Sequence, residues 1–139
     1  MPTLALTVPA KPSEISGIRR AIGALGRRAG LDADGLADVA LAVAEACANA
    51  VIHAYAGRDP GVLRVSAEVT HDGLLVVVAD DGRGMASRPD SPGLGLGLPL
   101  MASLTTALEV RVSAAGGTEI RMAFPAPGPD AASAWAEAG

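Results

Sequence analysis

Ile15, Ile18, Ile22 and Leu25 recur at steps of three and four, the spacing that gathers side chains on one face of a helix. This predicts a helix opening at Pro12-Ser13 and stopping at Gly30. A second helical stretch begins near Asp34 and continues through Ala56, where "AGRDPG" ends it with Gly57 and Pro60. Weak alternation from Thr3 to Val8 predicts an edge strand. "VLRVSAEVT" and "LLVVVAD" are β-branched runs separated by "HDG", which predicts an antiparallel hairpin whose second strand is apolar enough to be central. Periodicity then vanishes through the glycine-rich loop "DGRGMASRPDSPGLGLG". A short helix from Leu98 to Ala107 follows, and then a hairpin from "LEVRVSA" to "TEIRMAF" turned at Gly116-Gly117. The order β-α-α-β-β-loop-α-β-β predicts an α/β two-layer sandwich (α+β), a mixed, mostly antiparallel sheet with helices packed on one face.

Composition narrows the class. With 139 residues the chain is read as one domain over residues 1–124, followed by a Pro/Ala/Gly-rich tail over 125–139 that is expected to be disordered. Half the residues are apolar and only 2% aromatic, so the core has to be built from Val, Leu, Ile and Ala. The formal charge is -4 and the ten arginines are scattered, which argues against a nucleic-acid partner. Cys47 is the single cysteine, so an intrachain disulfide and a CxxC site are both excluded. No leader is read at the start, and no window is expected to reach the ~20 apolar residues that cross a bilayer. The expected setting is cytoplasmic, without a membrane.

Within the second helix, Glu45, Asn49 and His53 stand at steps of four in the otherwise apolar "VAEACANAVIHAY". Four residues make about one turn, with ~6 Å of rise, so Glu45 and Asn49 can face one cavity. Asn offers a neutral oxygen that suits Mg²⁺, and a carboxylate one turn away can take a proton from an attacking hydroxyl. A solvated helix stripe explains the same pair. His53 is read as a packing or capping residue, because no HExxH pattern accompanies it.

"VVVADDGRGM" places Asp80 and Asp81 at a strand end, with Gly82 and Gly84 directly after. A carboxylate at such a bend can accept a hydrogen bond from an exocyclic amine such as that of adenine; a plain Asp-Gly turn is the alternative. "GLGLGLPLM" sets Gly93, Gly95 and Gly97 ahead of a helix, where open backbone amides and the helix dipole can receive phosphate, or where a flexible loop merely covers the core. It is not a P-loop, since the chain's one lysine is Lys11. The same count removes the eukaryotic-type protein kinases, and no parallel βαβ unit surrounds the glycines.

Together and in this order, "EACANAVIHAY", "DDGRG" and "GLGLGLPLM" resemble the N, G1 and G2 boxes of the GHKL (Bergerat-fold) ATPases. The resemblance spans about Ile15 to Phe124, and the branch it favours is the anti-sigma-factor serine/threonine kinases of the RsbW type. It implies that Glu45 is the catalytic base, Asn49 the Mg²⁺ ligand and Asp80 the acceptor for the adenine amine. It further implies that Gly82 and Gly84 shape the adenine pocket, Gly95 and Gly97 the phosphate loop, and that Thr118 places a hydroxyl near adenine. Asp81 matches a variable position and receives no role. The segment from Met85 to Leu94 would be a short lid. "SLTTALEV" departs from the acidic stretch common in the branch.

The implied cofactors are ATP and Mg²⁺. The implied partners are a STAS-type anti-sigma antagonist as substrate, a sigma factor, and a second copy in a homodimer paired through the N-terminal strand. An RsbT-like switch kinase that activates a phosphatase, and a noncatalytic nucleotide-dependent binding module, are the alternatives. A small ATPase without a protein substrate is a further one.

Overall fold

The computed structural model describes residues 2–54, 61–82, 94–112 and 116–126. Five strands form one sheet: β1 (Thr3–Pro9), β2 (Val62–Thr70), β3 (Gly73–Asp80), β4 (Ala107–Val112) and β5 (Thr118–Pro125). Their spatial order is β1-β2-β3-β5-β4, and each neighbouring pair is antiparallel. Three helices, α1 (Ile15–Arg28), α2 (Ala33–Asn49) and α3 (Leu94–Leu104), pack on one face, with α2 between the other two. The α+β sandwich read from the pattern is the fold observed.

Alternation along the strands decides what each side chain meets, because successive residues point to opposite faces. Leu63, Val65 and Ala67 of β2, Leu74, Val76 and Val78 of β3, and Ile120, Met122 and Phe124 of β5 are all buried beneath the helices. Ile18, Ile22 and Leu25 of α1 and Val39, Val43, Ala46 and Cys47 of α2 close the core from above. Burial pushes the Cys47 thiol up to about 12, so it stays protonated and acts as a small apolar residue.

Helix ends follow local rules. α1 stops because Gly30 adopts φ +89, and the Leu31 N–H then donates to the Gly26 carbonyl at 3.1 Å, a left-handed cap. α2 starts at Asp32, whose carboxylate accepts from the Gly35 N–H at 2.8 Å. Three boundaries differ from the periodicity, the first being the end of α3, which stops at Leu104, three residues before the expected Ala107, because Ala107 opens β4. α2 leaves α-helical winding after Asn49 and continues as a π-turn from Ala50 to Ala54, so the row at steps of four ends at Asn49. α3 begins at Leu94, four residues before the expected Leu98, and carries Pro99 inside it. Met101, fully buried, with half-buried Leu98 and Leu104 at steps of three, fixes that helix against the core.

Gly73 illustrates how tightly the strands meet. It sits at φ +151, and a Cβ there would lie 2.1 Å from the Phe124 carbonyl oxygen. Gly73→Ala is expected to lower stability by about 1–3 kcal/mol, read as an earlier urea midpoint with an unchanged slope.

Candidate active site

Asp80 is the last inward position of β3. The register pairs Ala79 with Glu119, so Asp80 and Thr118 are the end members of two adjacent inward rows whose other members are apolar. Their polar side chains are buried all the same, Asp80 with 7% and Thr118 with 3% of its surface exposed. Asp80 Oδ1 accepts from the Gly82 N–H at 3.0 Å and from the Thr118 N–H at 3.4 Å. Burial raises the Asp80 carboxyl above its ordinary value, and these two backbone bonds work in the opposite direction. The solvated-turn alternative therefore does not describe Asp80.

Asp81 behaves differently. It points to the outer side, is exposed and forms an ion pair with Arg64, which holds its carboxyl below the ordinary value. An exposed pair of this kind contributes little to stability. Adjacent aspartates thus have opposite environments because the strand's period of two turns one inward and one outward.

α2 and the π-turn after it both pack against β3, which carries Asp80 at its end. Asn49, the last α-helical residue before the π-turn, is buried with 8% exposed. Among the described residues nothing accepts a hydrogen bond from its Nδ2. A buried amide without a partner costs ~1–3 kcal/mol, and such a group calls for a ligand to explain it. The amide nitrogen and oxygen are interchanged by a flip of the side chain, so this position can present either a donor to a phosphate oxygen or an acceptor to a cation. Turned with its oxygen toward the cavity, the amide offers one neutral ligand, which suits a Mg²⁺ ion that keeps phosphate and water in the rest of its shell. Glu45 lies one turn earlier on α2 and is half-buried.

Gly95 and Gly97 are in the first turn of α3 instead of a free loop. The first four N–H groups of a helix have no partner within it, and those of Gly95 and Gly97 are among these four. α3 packs against α2. Gly84 and residues 85–93 of the expected lid from Met85 to Leu94 lie outside the described residues, and Leu94 itself opens α3. Gly117, expected only as a turn residue of the closing hairpin, also lies with its backbone close against that of Asp80; its place just before the inward Thr118 was the signal.

The class of protein is set by the fold, an antiparallel α+β sandwich with a buried carboxylate at a strand end and, on the helix above it, a buried amide without a partner among the described residues. A model of the histidine kinase-like ATPase domain matches residues 8–124. The serine-protein kinase RsbW of Bacillus licheniformis is 34% identical, with 82% of this chain and 79% of that protein covered. The anti-sigma F factor of Clostridium beijerinckii is 34% identical over 63% of this chain and 68% of its own length. Among solved structures, the RsbU and RsbW domains of a Mycobacterium tuberculosis protein superpose with a TM-score of 0.68 at 25% identity. The alignment covers 91% of this chain and 33% of that one, so the chain spans about a third of that larger protein. The chain belongs to the histidine kinase-like ATPase domain family.

Proposed function

We propose that this chain is a Mg²⁺- and ATP-dependent protein serine/threonine kinase of the anti-sigma-factor type, acting by partner switching between a sigma factor and an anti-sigma antagonist. The observation that carries this reading is the buried amide of Asn49, without a partner among the described residues, one turn beyond Glu45 on the helix packed over Asp80's strand. The names of the relatives, a serine-protein kinase and an anti-sigma factor, supply the biological class.

In this reading Asp80 Oδ2 accepts from the adenine amine while Oδ1 is held by backbone. Gly82 and Gly84 let the base approach, the Thr118 hydroxyl lies near it, and the amides at Gly95 and Gly97 receive phosphate oxygens. Asn49 would hold Mg²⁺, which when bound neutralises charge on the phosphate oxygens. Glu45 accepts the proton of the substrate hydroxyl as it attacks. Since phosphoryl transfer is mostly positioning and charge stabilisation, this small set suffices once a serine reaches it.

Incubating the protein with γ-labelled ATP, Mg²⁺ and its STAS-type antagonist is expected to label an antagonist serine. Stable complex formation without label would identify a noncatalytic binding module. ATP turnover indifferent to any partner would identify a simple ATPase. Whether transfer releases a sigma factor or activates a phosphatase separates the anti-sigma role from the switch-kinase role.

β1 is an edge strand, with its outer ladder groups available to pair, and a homodimer through it belongs to the same proposal. The cytoplasmic setting is likewise proposed. Ala33–Ile52 is, by length and composition, long and apolar enough to cross a membrane, against the expectation that no window is. Its buried face, including Val39, Ala42, Val43, Ala46 and Cys47, packs into the core between sheet and flanking helices.

A further inference from the structure

The geometry points to Gly117 as the residue that sets nucleobase choice: by lacking a side chain it lets β5 begin against the end of β3, which brings the Thr118 N–H onto Asp80 Oδ1 and leaves Oδ2 for an exocyclic amine. The inference rests on the nucleotide reading above and adds a positioning residue that acts through Asp80.

A Cβ on Gly117 would lie 2.0 Å from the Asp80 carbonyl oxygen, 2.9 Å from its carbonyl carbon and 2.9 Å from Asp81 Cα. All three neighbours are backbone, so no side chain can swing aside. A methyl group fits only if the strands part by about 1 Å. The demand is purely spatial, because Gly117 is not among the glycines with positive φ. Its neighbour Gly116 is the opposite case, with φ +95 and nothing within 4 Å of a Cβ. The two glycines of the turn therefore serve different ends, one the chain reversal and one the close approach.

That approach controls a hydrogen bond with little slack. The Thr118 N–H reaches Asp80 Oδ1 at 3.4 Å, and a parting of the strands by the amount a methyl group requires takes it out of range. The two backbone donors hold Asp80 in one orientation and oppose the upward push that burial gives its carboxyl. Among the described residues, Asp81 and Arg64 are the charged groups that act on it, with opposite signs. Adenine presents an amine donor at the position where guanine presents a carbonyl oxygen. A fixed carboxylate attracts the first and repels the second. A carboxyl that has lost the Thr118 bond is freer to rotate and to take a proton, and a protonated carboxyl can donate to the guanine oxygen.

The test is equilibrium binding of ATP and GTP to the full chain, for the natural protein and for Gly117→Ala. ATP affinity is expected to fall about tenfold or more while GTP affinity stays within about twofold, so the ATP/GTP ratio collapses. In an Asp80→Asn background the same substitution is expected to leave the ratio unmoved, because its effect passes through the carboxylate. Equal losses for ATP and GTP, with the ratio preserved, would overturn the inference in favour of a merely structural glycine. If Gly117→Ala does not fold, replacing Thr118 by its α-hydroxy acid analogue removes the N–H without adding an atom. An unchanged ratio there overturns the inference equally. A natural protein without preference for ATP over GTP would sink the adenine reading and this inference together. A clear preference that neither variant disturbs would sink this inference alone.

Discussion

Asn49→Ala is expected to abolish Mg-ATP binding without weakening the fold, a loss of about a hundredfold or more in affinity. In the free protein the Asn49 amide nitrogen is buried without a partner among the described residues. Removing an unsatisfied buried amide relieves ~1–3 kcal/mol of desolvation, which offsets the packing lost with the side chain. Thermal unfolding of the nucleotide-free variant should therefore begin no earlier than that of the natural protein. Ligand at a hundred times its dissociation constant stabilises a protein by ~2.7 kcal/mol, so the upward shift that Mg-ATP gives the natural protein should vanish in the variant. A variant that melts early in the free state and still shifts with Mg-ATP would mean that Asn49 serves packing alone. Calorimetric titration with Mg-ATP reads the affinity directly.

Glu45→Gln is expected to separate chemistry from binding, with phosphate transfer to the antagonist falling about 10²–10⁴-fold. Nucleotide affinity should stay close to that of the natural protein, since the amide keeps the shape of the side chain and Glu45 is not assigned a direct nucleotide contact. Its half-buried position on a helix makes a large stability effect unexpected. Single-turnover transfer with preloaded ATP is the measurement, because it excludes product release from the rate. Undiminished transfer would remove Glu45 as the base and require another proton acceptor near Asn49. Loss of binding together with transfer would place Glu45 in the nucleotide cradle instead.

Helix and strand identities were legible because each rests on a local period. Ile18, Ile22 and Leu25 share one helical face, and Leu74, Val76 and Val78 share one face of a strand, and these sets are buried. Boundaries were less legible where two requirements meet. The glycines at 93, 95 and 97 read as a loop on intrinsic propensity, yet helix α3 starts at Leu94, and Leu98, Met101 and Leu104 at steps of three hold it against the core. The row of Glu45, Asn49 and His53 assumed uniform α-helical winding, and the π-turn after Asn49 interrupts it. Nothing in the residue types of "AVIHA" announces that change of winding.

Residue types and spacing determined which groups are available: a carboxylate and an amide one turn apart, two aspartates at a strand end, and glycines ahead of a helix. They did so because helical and strand periods are properties of the backbone alone. Tertiary structure decided which of these groups are chemically distinct. Asp80 and Asp81 are the same residue in the same dipeptide, and only the cover of helices on one sheet face buries the first while Arg64 pairs with the second. The burial of the Asn49 amide and the contact of Gly117 with Asp80 exist only once distant segments meet, and burial and close approach are set by packing across the whole chain.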